Sequence, residues 1–315
     1  DEPWYEPQLK DFNNASVRRP CVRVGDVFSP PFKQFFGFDY FNTVQSEVVP
    51  AVACGDDNVV VAAPTGAGKT CVFEMAIVRL FSNALRHGSR TLPKQNKVVY
   101  IAPNKALCDE RMEDWTRRFD ALGLGIKVGL VTGDVWDTGE AFRNVASSHL
   151  ILTTPEKWDS VTRRWTDHLH ILQCIKLLLI DEVHLIGDNN RGPCLETVVC
   201  RMKTVRKASS EKHPSAVRNT SSTPLRIVAV SATLPNIVDI ASFVEAPEPF
   251  SFDGSYRPVP LTTHVLSFGW IGKNQYMFDK SLNKHIPEIV ATYSNNRPTI
   301  IFCHTKKETE EIASQ

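Results

Sequence analysis

One local pattern recurs along this chain: a short apolar run rich in β-branched residues, followed by a stretch with helical periodicity. Such runs occupy residues 58–62, 97–102, 127–132, 150–153, 175–180 and 226–231. Most of them are apolar at successive positions, as strands are when helices cover both faces of a sheet. The alternation of strands and helices predicts a doubly wound parallel α/β sheet.

The overall composition is ordinary for a globular protein, with 42% apolar and 23% charged residues. The formal net charge is +1, so the chain has no broad basic field, and its charge neither supports nor excludes nucleic-acid binding. No apolar stretch approaches the ~20 residues of a membrane span, and the acidic start is unlike a signal peptide. We therefore expect an intracellular protein without a membrane segment.

The eight cysteines include no Cys-x-x-Cys pair, and several lie within apolar runs, namely Cys71, Cys174, Cys200 and Cys303. Free cysteine is among the residues that are most often buried. We expect these cysteines to be buried small hydrophobes in a reducing compartment, neither metal ligands nor disulfides.

Changes in composition predict the domain organisation. Residues 1–35 are rich in Pro, Asn and aromatic residues without a period, which predicts an N-terminal arm. Prolines interrupt the pattern near residues 246–260, so we expect a first domain over residues 36–250 and a second over 251–315. The second domain is expected to begin with strands at 261–268 and 298–303 and to be truncated.

A glycine-rich loop follows the first apolar run and precedes a helical pattern, which is the context that a phosphate-binding P-loop requires. Its glycines let backbone N–H groups approach phosphates, and the helix N-terminus favours their charge. We expect Lys69 to bind the β- and γ-phosphates of ATP and the Thr70 hydroxyl to bind Mg²⁺. The predicted nucleotide contacts are Thr65, Gly66, Ala67, Gly68, Lys69 and Thr70.

An acidic pair follows the apolar run 175–180. Ligands of parallel α/β sheets bind at the carboxyl ends of the strands. Asp181 is therefore placed to hold Mg²⁺, and Glu182 to orient or deprotonate an attacking water. Together with Lys69, these two carboxylates are the predicted catalytic residues.

The P-loop, Asp181-Glu182-Val183-His184 and Ser231-Ala232-Thr233 together resemble motifs I, II and III of the DExH helicases of superfamily 2. The resemblance implies two RecA-like domains, hydrolysis of ATP with Mg²⁺, and movement along single-stranded nucleic acid. It also implies that His184, Ser231 and Thr233 couple the nucleotide site to the nucleic-acid site.

Further stretches match the family's motifs in order. Phe41-Asn42 with Gln45 resembles the Q motif, in which the glutamine binds the adenine edge. Other matches offer backbone amides, small hydroxyls or lysines, which bind a phosphate backbone without reading bases. The nucleic-acid contacts that the resemblance implies are Pro103, Asn104, Lys105, Gly133, Thr154, Pro155 and Lys157, with His304 and Thr305 from the second domain.

Within the superfamily, the chain resembles the branch that holds exosome-associated, spliceosomal and archaeal repair helicases. Residues 153–164, Arg191-Gly192-Pro193 and residues 196–205 are most similar to the meiotic DNA helicases that promote crossing over. This resemblance implies a nuclear protein that moves 3′-to-5′, with DNA favoured over RNA as its strand.

Two alternatives stay open at the level of sequence. The motifs do not separate DNA from RNA, because that distinction rests on 2′-hydroxyl contacts that no motif reveals. The family's second domain supplies arginine fingers in a Gln-x-x-Gly-Arg-x-Gly-Arg motif, and no such run occurs here. The sequence is therefore also compatible with a non-catalytic ATP-binding clamp, and we expect the isolated chain to be poorly active.

Overall fold

The computed structural model describes residues 21–86, 92–133, 138–212, 224–270 and 274–314. The chain divides into two compact units whose boundary in sequence lies between Pro260 and Leu261. The first unit is a seven-stranded, fully parallel sheet with helices on both faces. The doubly wound parallel sheet that the sequence predicts is therefore confirmed.

Each of the six apolar runs contains one strand. The strands are β1 Val59–Ala62, β2 Lys97–Ile101, β3 Val128–Val131, β4 Leu150–Thr153, β5 Ile175–Ile180, β6 Arg226–Ser231 and β7 Pro249–Ser251. Their order across the sheet is β3-β4-β2-β5-β6-β1-β7. The sequence pattern did not predict β7, because this strand is three residues long and only partly buried.

The helices surround this sheet in the order that the alternating pattern requires. In the first unit they are α1 Val24–Val27, α2 Thr43–Val49, α3 Lys69–Arg86, α4 Lys105–Ala121, α5 Thr138–Ser147, α6 Pro155–Thr162, α7 Leu169–Leu172, α8 Gly192–Lys212 and α9 Ile237–Val244. A π-helical turn, Pro50–Cys54, follows α2, and a 3₁₀ turn, Val183–Gly187, follows β5.

Strand residues alternate between two hydrophobic cores, which explains why the runs are apolar at successive positions. In β2, Val98 and Tyr100 belong to the core on one face, and Val99 and Ile101 belong to the core on the other. All four side chains are at most 1% exposed. The period of two along each strand thus serves both faces of the sheet.

The part of the predicted N-terminal arm that the structure describes packs into the first of these cores. Phe28, Phe32 and Phe35 are buried there. The Arg118 guanidinium of α4 donates two hydrogen bonds, of 2.8 and 3.0 Å, to the Phe35 carbonyl and also pairs with the buried carboxylate of Glu74. This segment is therefore anchored by apolar burial and by a charged hydrogen-bond network.

Arg226, at the start of β6, is buried among backbone carbonyls. Its guanidinium donates to the carbonyl oxygens of Ala51, Val52 and Asp57 at 2.6, 3.0 and 2.7 Å. Two of these carbonyls belong to the π-helical turn, where helix ends leave acceptors without backbone partners. Burial lowers the pKa of Arg226 to about 10, so the side chain stays charged at neutral pH.

The second unit contains helices α10 Gln275–Leu282, α11 Ile286–Tyr293 and α12 Lys306–Ala313. The strands predicted at 261–268 and 298–303 are not formed among the described residues. A β-strand is defined by backbone hydrogen bonds to a neighbouring strand. Neither segment forms such a pairing with the described residues of this unit. Hydrophobic character alone therefore predicted strands that this structure does not contain.

The expectation that the cysteines are buried needs correction. Of the four cysteines placed in apolar runs, Cys71 is buried, Cys174 and Cys303 are half-buried, and Cys200 is exposed. Cys200 lies on the outward side of α8. Because neighbouring residues of a helix point to different sides, the apolar residues next to Cys200 in sequence do not predict that its own side chain is buried. In the described ranges, no helix is both long enough and apolar enough to cross a membrane.

Replacing Arg226 with methionine should destabilise the first unit. The Arg226→Met change leaves three carbonyls without their donor, one of them buried and two part-buried, so we expect the free energy of unfolding to fall by about 3 kcal/mol. Urea denaturation followed by circular dichroism measures this change. Arg117→Met is the matched control, because the Arg117 side chain is 78% exposed. A loss equally small in both variants would contradict a structural role for Arg226.

Candidate functional site

Three predicted motifs lie side by side because β5, β6 and β1 are neighbours in the sheet. Asp181 follows the end of β5, Ser231 ends β6, and Ala63 follows β1. The Ala63 amide donates to the Ser231 carbonyl at 3.1 Å, which joins the first P-loop residue directly to the third motif. Parallel pairing thus brings together polar groups that are far apart in sequence.

The P-loop has the backbone conformation that its glycines permit. Gly66 and Gly68 have φ angles of +85° and +78°, in the left-handed region that favours glycine. A Cβ atom on Gly68 would lie 2.3 Å from Gln45 Nε2, so a side chain does not fit there. Lys69 Nζ donates to the carbonyls of Ala63 and Pro64 at 3.0 and 3.3 Å, so its ammonium group lies within the loop.

Of the other predicted nucleotide contacts in this loop, Thr65 and Gly66 are exposed, Thr70 is half-buried and Ala67 is buried. The exposed positions are open to a ligand, and the buried one fixes the loop on the core. The structure therefore places these residues on one continuous loop, and their contacts with ATP stay a prediction.

Asn42 and Gln45 support the P-loop from the start of α2. Asn42 Oδ1 accepts from the Gln45 amide at 2.8 Å, and Gln45 Oε1 accepts from the Asn42 amide at 2.9 Å, which forms a capping box. Their side-chain amides donate to the carbonyls of Ala67 and Gly68 at 3.0 and 3.2 Å. Gln45 thus holds the loop in this structure, and its contact with the adenine edge stays a prediction.

Asp181 is positioned by a tyrosine that the sequence analysis did not assign to the site. The hydroxyl of Tyr100, in the neighbouring strand β2, donates to Asp181 Oδ2 at 2.6 Å. The other carboxylate oxygen accepts from the Glu182 amide at 2.9 Å. A phenol among the apolar residues of β2 is the only sequence signal for this contact, and it depends on the pairing of β2 with β5.

Burial raises the pKa of the Asp181 carboxyl, and the nearby charge of Glu182 acts in the same direction. The hydrogen bond from Tyr100 and the positive charge of Lys69 oppose this shift. The same burial, together with the negative charge of Asp181, raises the pKa of the Tyr100 phenol far above its usual value, so that group remains a donor.

Glu182 adopts a left-handed backbone conformation, with φ 51° and ψ 50°. Its Oε2 atom lies 3.3 Å from His184 Nδ1 without the geometry of a hydrogen bond, and this buried oxygen has no hydrogen-bond partner in the described part of the chain. His184 Nδ1 lies 3.1 Å from Ser231 Oγ. Glu182, His184 and Ser231 therefore form one contiguous set.

The side chains present fit a magnesium ion bound with phosphate. Mg²⁺ prefers oxygen ligands and is usually bound through one or two carboxylates, waters and substrate phosphates. Thr70 supplies a hydroxyl and Asp181 a carboxylate, and the charge of Lys69 acts on Asp181. Glu182, whose charge also acts on Asp181, adds a buried carboxylate oxygen without a hydrogen-bond partner among the described residues.

The predicted nucleic-acid contacts of the first domain follow β2, β4 and β3, on the other side of β5. Asn104 caps α4 by accepting from the Leu107 amide at 2.9 Å, and Thr154 caps α6 by accepting from the Lys157 amide at 3.4 Å. Gly133 follows β3, and a Cβ atom added at this glycine would meet no described atom within 4 Å. These loops present helix N-termini and small polar groups, which suit a phosphate backbone.

Other predicted contacts are placed as follows. Lys105 is exposed, Pro103 and Lys157 are half-buried, and Pro155 is buried at the first turn of α6. Thr233 is exposed beyond β6. His304 and Thr305 belong to the second unit, where Thr305 caps α12. Their predicted roles in coupling or in binding nucleic acid stay predictions.

Comparison with known proteins gives concordant results. The profile described as DEAD/DEAH box helicase matches residues 42–240. The human "Probable ATP-dependent DNA helicase HFM1" is 43% identical over 309 residues, which are 96% of this chain and 20% of that protein. The Arabidopsis thaliana "ATP-dependent DNA helicase homolog MER3" is 39% identical over 290 residues, 90% of this chain and 24% of that protein.

A solved structure of the helicase MrfA bound to DNA and AMPPNP has a similar fold. Its TM-score is 0.58 at 18% sequence identity, and the match covers 79% of this chain and 34% of that one. At this identity the likeness concerns the fold alone. The chain spans about a fifth to a quarter of the length of the curated relatives named above.

Removing the Tyr100 hydroxyl should weaken binding of Mg²⁺–ATP. Tyr100→Phe deletes the donor that fixes the Asp181 carboxylate, and a hydrogen bond to a charged group contributes about 1.5–3 kcal/mol, which is roughly ten-fold or more in affinity. Calorimetric titration with Mg²⁺–ATP and with ATP in EDTA measures the effect. Tyr276→Phe, at an exposed tyrosine of the second unit, is the control. Equal losses with and without Mg²⁺ would argue against a role through Asp181.

Proposed function

The chain belongs to the DEAD/DEAH box helicase family, and we propose that it is the nucleotide-binding part of an ATP-driven motor that moves along single-stranded DNA. The observation that carries this proposal is the adjacency of β1, β5 and β6. It places the P-loop lysine, the two carboxylates of the second motif and Ser231 of the third motif at one edge of the sheet.

The nucleotide step follows from these positions. The ammonium group of Lys69 exchanges its two loop carbonyls for the β- and γ-phosphates of ATP. Thr70 and Asp181 would hold Mg²⁺, which would neutralise charge on the phosphates. The Glu182 carboxylate, whose side chain is 34% exposed, orients the attacking water and accepts its proton.

Coupling to the nucleic acid runs through His184. Its Nδ1 atom lies 3.3 Å from the Glu182 carboxylate and 3.1 Å from the Ser231 hydroxyl. A change in the hydrogen bonding of Glu182 during hydrolysis therefore reaches Ser231 through one side chain. Ser231 in turn binds the P-loop through its carbonyl, so the three motifs respond together.

We propose DNA over RNA as the strand because the relatives described above, at 39% and 43% identity, are named DNA helicases. The loops after β2 and β4 grip the phosphate backbone through capped helix N-termini, which requires no base readout. Movement in the 3′-to-5′ direction, a nuclear location and a role in meiotic recombination complete the proposal. The direction rests on the resemblance to the helicase family, and the location and the meiotic role rest on the resemblance of residues 153–164, 191–193 and 196–205.

Lys69→Ala should abolish measurable binding of Mg²⁺–ATP while leaving the fold intact. The variant removes the only ammonium group within the P-loop, and the loss of a charged phosphate contact is expected to weaken binding by ~100-fold or more. Calorimetry measures the affinity and circular dichroism the fold. Lys207→Ala, at an exposed lysine of α8, is the matched control. Unchanged affinity in a folded Lys69→Ala protein would remove the basis of the proposal.

Strand binding is tested by fluorescence anisotropy with labelled 20-mers of deoxythymidylate and of uridylate. Binding should respond to Mg²⁺ with a non-hydrolysable ATP analogue, and the DNA strand should bind several-fold more tightly, by ~1 kcal/mol. Lys69→Ala should lose the response to nucleotide. Tighter binding of the RNA strand would reassign the substrate, and an absence of binding to both strands would contradict the motor itself.

A further inference from the structure

One segment of the chain contacts both halves of the functional edge of the sheet. It runs from Asp181, at the end of β5, through the 3₁₀ turn Val183–Gly187 to Arg191, immediately before α8. Its first residues belong to the nucleotide site. Its last residue reaches the two loops that carry the predicted strand contacts after β2 and β4.

Arg191 bridges these two loops through its guanidinium group. Its Nη1 atom donates to the carbonyl of Pro103, and its Nε atom donates to Glu156 Oε1 at 2.7 Å. Pro103 precedes Asn104, the cap of α4, and Glu156 lies in the first turn of α6, beside the cap Thr154. One planar group thus joins the N-termini of two helices that are far apart in sequence.

The turn that presents Arg191 is fixed independently of that bridge. Asp188 Oδ1 accepts from the amides of Asn190 and Arg191 at 2.9 and 2.8 Å, and the Gly192 amide donates to the Asp188 carbonyl at 2.8 Å. A Cβ atom on Gly192 would lie 2.1 Å from the Ile186 carbonyl oxygen, so only glycine fits at this position. The backbone of Arg191 is therefore held against the nucleotide-site segment.

We propose that Arg191 is a positioning residue, which holds the Pro103 and Glu156 loops in the arrangement that grips a single strand and ties that arrangement to the Asp181–Glu182 segment. This inference rests on the proposed function. An arginine suits the role because its fork donates to a carbonyl and a carboxylate at once, whereas the single ammonium group of lysine does not reproduce that planar geometry.

A competing role for Arg191 is direct binding of a phosphate, because the side chain is 33% exposed. The two roles differ in the sign of their response at Glu156, whose side chain is 50% exposed. If Arg191 binds phosphate itself, the Glu156 carboxylate competes with the strand, and neutralising it should tighten binding. If Arg191 acts through Glu156, neutralising that carboxylate should weaken binding.

The test uses Arg191→Gln, Arg191→Lys and Glu156→Gln, with Arg117→Gln as the control for loss of an arginine at an exposed site. The rate of amide hydrogen exchange in the free protein reports on the stability of the first turns of α4 and α6. This measurement does not depend on the proposed function. Anisotropy with labelled deoxythymidylate 20-mer, with and without a non-hydrolysable ATP analogue and Mg²⁺, reports on strand binding and on its response to nucleotide.

We expect faster exchange at the first turns of α4 and α6 in Arg191→Gln, and strand affinity about five- to ten-fold weaker, with an unchanged salt slope. Glu156→Gln should weaken binding in the same direction, and a double variant that combines Arg191→Gln with Glu156→Gln should lose no more than the larger single loss. Arg191→Lys should not restore affinity. Calorimetric affinity for Mg²⁺–ATP in the absence of DNA should stay within about two-fold in each variant.

Three results would overturn the inference. Unchanged exchange in Arg191→Gln would show that the bridge does not hold the helix starts. Tighter strand binding in Glu156→Gln, with rescue by Arg191→Lys and a salt slope lower by about one, would assign Arg191 to direct phosphate contact. Unchanged strand affinity in all variants of a parent that binds DNA would refute positioning. A parent that binds neither DNA nor RNA would instead refute the proposed motor, and the exchange result would still decide the structural half of the inference.

Discussion

All seven strands of the sheet run in one direction, and this constraint decides where the chemistry of the molecule lies. Every strand ends at the same edge, so polar residues that the buried strands exclude are gathered in the loops beyond them. The loops after β1, β5 and β6 carry the predicted nucleotide contacts, and those after β2, β4 and β3 carry the predicted strand contacts, so the edge has a nucleotide half and a strand half. The pairing of β2 with β5 joins the two halves, and both the Tyr100–Asp181 contact and the Arg191 bridge cross this boundary.

Charged side chains tie irregular segments to this apolar framework. Arg118 holds the N-terminal segment through the Phe35 carbonyl, and Arg226 holds the turn after α2. The buried Lys97 donates to the carbonyls of Ala146 and Ser148 at 2.9 and 2.6 Å, beside the start of β4. Each cation donates to carbonyls in turns, in loops or near helix ends, which reduces the cost of burying them.

Local sequence predicted much of the fold, because six strands are apolar runs and the P-loop occurs in its required strand–loop–helix context. It did not predict β7, whose three residues are stabilised by pairing with β1. It predicted strands at 261–268 and 298–303 that have no partners in the described residues. Lys69, Asp181 and Glu182 were found from local motifs, whereas Tyr100 and Arg191 were not assigned to the site, because their partners are set by strand order.

The left-handed backbone conformation of Glu182 costs stability, while the carboxylate at this position serves the proposed chemistry. A residue with a Cβ atom pays roughly 1–2 kcal/mol in that conformation, and glycine adopts it freely. The chain nevertheless places there the carboxylate that is aimed beside Asp181. A laboratory selection for thermal tolerance alone would therefore favour glycine at this position and enrich proteins that fold better yet have lost their proposed base. Screening for function has to accompany any such engineering of the first unit.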